Sequence, residues 1–184
     1  MPIVLLSGSP SERSSTDAVL RWLAGLIEAR GFSTVLVSVR DLSPQALFEA
    51  DLGEPGIRAL IGQLGQAQGV VVASPVYKAS YSGVLKALVD LFPENLLKNV
   101  PTLPLMVGGS PNHFLAVDWA LRPLLTLLKA QTLQGVYVLS EQVDKGAPIP
   151  LSEPELSHRV VDQVDQLFAL VKIWQQSAPV PARA

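Results

Sequence analysis

The chain has 184 residues, 48% of them hydrophobic, with a net charge of −2 at pH 7 and no cysteine. That length and apolar content suit one domain with its own core, and the scattered lysines and arginines exclude the basic stripe of a nucleic-acid groove. Without thiols there are no disulfides, thiolate nucleophiles, iron–sulfur clusters or thiolate zinc sites, and His113 and His158 are too few and too far apart for a zinc site, so redox chemistry would need an organic cofactor.

The start, Met1-Pro2-Ile3-Val4-Leu5-Leu6-Ser7, lacks the basic region and the long apolar run of a signal peptide. No apolar stretch approaches the ~20 residues of a membrane span. The expectation is a soluble, cytoplasmic protein that touches neither membrane nor nucleic acid.

Residues 3–6 read as a first buried strand. A helix follows over residues 14–30, with Val19, Leu20, Leu23 and Ile27 on one face and Gly31 at its stop. Residues 34–39 form the second strand. Residues 41–53 read as an irregular connection with a helical turn after Ser43-Pro44, and Pro55 opens a helix over 55–66. Strand three is 70–73, and helix three is 82–92. Strand four is 102–107, helix four 113–130, strand five 132–139, and the last helix 153–175. Residues 177–184, with two prolines and little apolar content, read as a disordered tail, leaving residues 1–176 as the domain.

Strands alternating with helices predict an α/β fold: a five-stranded parallel sheet with helices on both faces. The strands are continuously apolar, as strands covered on both faces are. Ligand loops after strands one, three and four favour the flavodoxin-like order 2-1-3-4-5, a three-layer sandwich.

Three loops carry the chemistry. The first, Gly8-Ser9-Pro10-Ser11-Glu12-Arg13-Ser14-Ser15-Thr16, offers hydroxyls, a guanidinium and a helix amino terminus, which together suit a phosphate. It is neither a Walker A loop nor a dinucleotide glycine fingerprint. Ser14 or Ser15 acting only as a helix cap is the competing reading. The second, Ser74-Pro75-Val76-Tyr77-Lys78-Ala79-Ser80-Tyr81-Ser82-Gly83, could set backbone N–H groups and Lys78 against the pyrimidine edge of an isoalloxazine, with Tyr77 along the ring. Tyr77 and Tyr81 as packing aromatics is the alternative. The third, Gly108-Gly109-Ser110-Pro111-Asn112-His113, allows close backbone approach to a ligand, or is an ordinary tight turn. All three would share one edge of the sheet, the layout of a mononucleotide flavin site. The candidate binding residues are Ser9, Arg13, Ser14, Ser15, Thr16, Pro75, Val76, Tyr77, Lys78, Ser82, Gly108, Gly109 and Ser110.

At these residues the chain resembles the NADPH-dependent FMN reductase family, and within it the reductases that supply alkanesulfonate monooxygenases. The likeness lies in Gly8-Ser9-Pro10, Arg13-Ser14-Ser15, the stretch from Pro75 to Gly83, Gly108-Gly109, and His113-Phe114-Leu115-Ala116-Val117-Asp118-Trp119-Ala120-Leu121-Arg122-Pro123-Leu124. It spans roughly residues 1–176. The resemblance implies reduction of FMN by NADPH or NADH, release of the reduced flavin to a partner monooxygenase, and no obligate catalytic side chain. It also implies a homodimer or homotetramer built through helices 82–92 and 113–130. Both helices carry apolar residues on more than one face, consistent with a second partner. In the subgroup an aromatic residue creates a π-type bulge in the fourth helix. Here the aligned residue is Trp119, expected at an oligomer interface unless it is a core aromatic. The first loop is shorter than in the sulfonate-system relative. Two other readings use the same loops: a reductase of quinones or azo dyes with tightly bound FMN, and a flavodoxin-like electron carrier.

Overall fold

The computed structural model describes residues 1–177. The tail expected over 177–184 therefore lies outside the described residues except for Ser177, which closes the last helix.

The first strand, β1 (Ile3–Ser7), is buried along its whole length. Ser14 caps α1 (Ser15–Ala29) by accepting the Asp17 N–H, and Gly31, at φ +84°, turns the chain out of it. The edge strand β2 (Thr34–Ser38) leads to α2 (Pro44–Glu49), the helical turn expected after Ser43-Pro44. Pro55 stands at the start of α3 (Pro55–Gly65), whose Ile57 N–H is capped by Glu54 at 2.6 Å. Next come β3 (Gly69–Pro75), α4 (Gly83–Val89) and β4 (Pro101–Gly108). After these the chain runs through α5 (Arg122–Leu127), β5 (Gln131–Thr132), β6 (Val136–Leu139) and α6 (Pro154–Ser177).

The strands are all parallel, in the order β2-β1-β3-β4-β5, with β6 also on β4. This is the expected 2-1-3-4-5 order. Residues alternate between two cores. Val4, Leu6, Val70, Val72 and Met106 share a core with α2, α3, α4 and α5 through Leu47, Ile57, Leu60, Leu64, Leu85, Leu88 and Leu125. Ile3, Leu5, Val71, Leu103 and Leu105 face α1 and α6 through Val19, Leu20, Leu23, Ile27, Val160, Val164 and Leu167. A sheet covered on both faces needs apolar side chains at every position, and that is why these strands read as unbroken runs.

Two elements differ from the expectation. The single strand expected over 132–139 is two short ones. Thr102 pairs with Thr132 and Leu105 with Val136, so three steps along β4 face four on its neighbour. The extra residue is a bulge. It sits beside Pro104, which has no N–H to give to the ladder. Gly135 makes the bend at φ +84°, and its N–H is taken by Gln163 Oε1 at 3.0 Å.

The helix expected over 113–130 is likewise interrupted. A 3₁₀ turn, Pro111–His113, precedes a π-helical turn, Val117–Leu121, which runs into α5. The Arg122 N–H reaches back to the Val117 carbonyl. Pro123 gives the cause: it has no N–H for the Trp119 carbonyl and its ring crowds that carbonyl, so the turn widens. The π turn thus contains Trp119, as the resemblance implied.

Candidate functional site

All strands end on the same edge, so the loops after β1, β3, β4 and β6 meet there. Between them lies a cleft of about 250 Å³. The first loop lines it with Ser9, Ser11, Arg13, Ser14, Ser15 and Thr16. The second contributes Pro75, Val76 and Tyr77, the third Gly108 and Gly109 beside Val107, and the fourth Ser140 and Lys145.

The first loop is held tightly. The Gly8 N–H donates to the Ala73 carbonyl at 2.7 Å. A Cβ on Gly8 would stand 2.9 Å from Leu85 Cβ, so glycine lets this loop lie against α4. Ser9 is almost wholly buried; its N–H donates to Ser7 Oγ, and its own Oγ accepts the Ser11 N–H. Ser14 both caps α1 and lines the cleft, so capping and ligand contact are compatible roles. Behind the loop, Asp17 is 4% exposed. Its carboxylate accepts from the Ser7 hydroxyl and, at 2.9 Å, from Arg40 Nη2, which neutralises it.

The second loop is a tight hairpin turn. Tyr77 and Ser80 exchange backbone hydrogen bonds at 2.8 and 3.0 Å. Lys78 and Ala79 stand between them at φ +51° and +62°. Two successive left-handed residues define a type I′ turn, normally made with glycine or asparagine. The turn holds Tyr77, 46% exposed, on the cleft wall. Lys78 is exposed and is not among the residues that line the cleft. Ser82 lies beneath the site, 1% exposed. Its hydroxyl donates to the Gly8 carbonyl at 2.5 Å and accepts the Leu85 N–H at 3.1 Å, while its N–H donates to Ser74 Oγ at 2.9 Å. Ser82 therefore ties the first two loops together.

In the third loop the two glycines differ. A Cβ on Gly108 would overlap the Tyr137 hydroxyl, with Tyr137 Cζ at 2.9 Å, so the room Gly108 leaves is filled by the protein's own side chain. Gly109 is exposed, and a Cβ there would meet only Ser140 Oγ at 3.9 Å. Tyr137 donates its hydroxyl to the Ser110 carbonyl at 2.5 Å, and burial holds its phenol above the ordinary tyrosine range. Ser110 and His113 stand outside the lining, where Ser110 Oγ caps the 3₁₀ turn.

Sequence reasoning missed Ser140 and Lys145, and counted Ser11 among the hydroxyls of the first loop without naming it as a binding residue. The signal that leads to Ser140 is its position directly after a parallel strand. Lys145 lies in no motif. Its ammonium donates to the Arg13 carbonyl at 2.8 Å across the chain. Neither Arg13 nor Lys145 has an ion-pair partner among the described residues, and no carboxylate lines the cleft. Two cations, five serine or threonine hydroxyls of the first loop and the amino end of a fifteen-residue helix have the chemistry that suits an anion. No group of three potential metal ligands occurs among the described residues. None of their helices is long and apolar enough to cross a membrane.

A parallel sheet of this order, with a polar cleft walled by an aromatic at its carboxyl edge, is a flavodoxin-like fold. Residues 1–145 match the family described as NADPH-dependent FMN reductase, and the chain belongs to that family. It is 43% identical over 144 residues to an FMN reductase (NADPH) of Pseudomonas putida, covering 78% of this chain and 73% of that one. To an FMN reductase (NADPH) of Escherichia coli K12 it is 38% identical over 176 residues, covering 95% and 89%. Among solved structures, an apo NADH:FMN oxidoreductase superposes with a TM-score of 0.82 at 33% identity, covering 90% of this chain and 87% of that one.

Proposed function

We propose that the protein oxidises NADPH or NADH, reduces FMN by hydride transfer, and supplies the reduced flavin to a flavin-dependent monooxygenase, as in sulfonate use. The observation that carries this reading is the cleft itself: hydroxyls at the start of α1 and two cations without an ion-pair partner among the described residues, opposite Tyr77 and exposed Gly109. Ser9, Arg13, Ser14, Ser15 and Thr16 would hold the flavin phosphate. Pro75, Val76, Tyr77, Gly108 and Gly109 would border the ring, with Lys78 and Ser110 just beyond the lining and Ser82 keeping the two walls in register. Nicotinamide and flavin rings, when bound, would supply the hydride chemistry, and the protein would align them. The names of the relatives divide between NADPH and NADH, so either nucleotide is a candidate donor.

The same reading makes the protein a homodimer or homotetramer through residues 82–92 and 113–130. Trp119 at 79% exposure, Leu127 at 70% and Phe114 at 58% support it, because isolated chains rarely expose so much apolar surface on one segment.

Steady-state NADPH oxidation by flavin-free protein tests the function. Saturable oxidation that follows added FMN over a wide excess is the expected result. Activity that plateaus at one FMN per subunit and needs a quinone or dye would instead mean a bound cofactor. No oxidation with either nucleotide would leave an electron carrier.

A further inference from the structure

We propose that Lys145 is the second cation for a phosphate monoester in the cleft, and that it sets the preference for phosphorylated over unphosphorylated ligand. The inference rests on the function proposed above. A phosphate monoester carries about −1.5 to −2 charge near pH 7, so Arg13 alone leaves it under-neutralised.

Lys145 is exposed, but its loop and one hydrogen bond fix where it stands. Its loop is closed at the base by the Val143–Leu151 bridge, by Asp144 N–H donating to the Pro150 carbonyl at 2.7 Å, and by Ser152 N–H donating to the Gln142 carbonyl at 2.9 Å. The adjacent carboxylate of Asp144 is engaged by its own turn, accepting the Gly146 N–H at 2.9 Å. Lys145 is thereby left without an acidic partner among the described residues. Its ammonium rests instead on the Arg13 carbonyl at 2.8 Å, which takes one of its three donors. This contact joins the loop after β6 to the first loop, so two cations from distant parts of the chain line the same cleft as the hydroxyls.

Two ligands bring a phosphate monoester: the flavin 5′-phosphate and the 2′-phosphate of NADPH. Flavin-free wild type, Lys145→Met and Lys145→Arg are titrated with FMN and with riboflavin, following flavin fluorescence at two salt concentrations. NADPH and NADH are compared by kcat/KM. If the flavin phosphate is the ligand, Lys145→Met weakens FMN about tenfold at low salt, leaves riboflavin unchanged and flattens the salt dependence, while Lys145→Arg restores most of the affinity. If the nucleotide phosphate is the ligand, the NADPH-to-NADH ratio falls instead. Either result supports Lys145 as a phosphate reader. Unchanged FMN affinity with an unchanged nucleotide ratio, or equal losses for FMN and riboflavin, overturns it. Wild-type protein that binds neither flavin would overturn the flavin site as a whole, a failure distinct from that of Lys145 alone.

Discussion

Replacing Ser82 with alanine should loosen the site from below. The hydroxyl caps α4 through the Leu85 N–H and donates to the Gly8 carbonyl at 2.5 Å, both with Ser82 1% exposed. Loss of an N-cap costs about 1 kcal/mol. A buried carbonyl deprived of its donor costs a further ~1–3 kcal/mol. Together these give about 3 kcal/mol. In a chain of this size each kcal/mol moves the melting temperature by about 2–4 °C, so Ser82→Ala should melt about 6–12 °C lower. Ser82→Gly separates the two contributions, because glycine costs only a few tenths of a kcal/mol at a cap and still removes the bond to Gly8. Calorimetric melting of wild type, Ala and Gly variants measures both. The FMN KM of the Ala variant should rise, since the first and second loops lose their shared pin. A melting point within about 2 °C of wild type would refute the reasoning, because that shift is smaller than either contribution predicts.

Tyr137 gives a pH dependence. Burial raises its folded pKa above that of the unfolded chain, so its contribution is complete below about pH 10 and is lost as pH climbs through the folded value. Urea unfolding between about pH 9 and 11 should show a decline that Tyr137→Phe reduces; equal slopes would count against it. Ala79→Gly should stabilise the protein by about 0.5–1 kcal/mol in the same assay, since φ +62° favours glycine, and a lower midpoint would mean the turn is unstrained. Trp119→Ala should lower the mass seen by light scattering, with unchanged mass and unchanged FMN affinity removing Trp119 from any interface.

The strand order could be read from the sequence because burial on both sheet faces writes itself into runs such as Val70-Val71-Val72-Ala73, and those runs place the loops. That the first loop would line a cleft was legible too, because its hydroxyls, Arg13 and the helix start are local features at the end of a strand. What escaped was decided by partners far along the chain. Lys145 reaches Arg13 across 132 residues, and Asp17 is neutralised by Arg40 from the end of β2. Gly108 looked like space for a ligand, but Tyr137 fills it, a pairing set by the register of β6 on β4. The split of the last strand and the π turn each had a local sign, since Pro104 and Pro123 lack the N–H that an unbroken strand or helix requires.

The broken pairing along β4 also bears on how the protein behaves when crowded. An unpaired strand edge can template the addition of a strand from another molecule. On this side the outermost strands are two residues, Gln131–Thr132, and four, Val136–Leu139, with a bulge between them and Gly135 held to α6 by Gln163. No straight ladder of useful length is offered to a second chain there. The offset beside Pro104 thus acts as a guard against cross-β stacking on that side of the sheet.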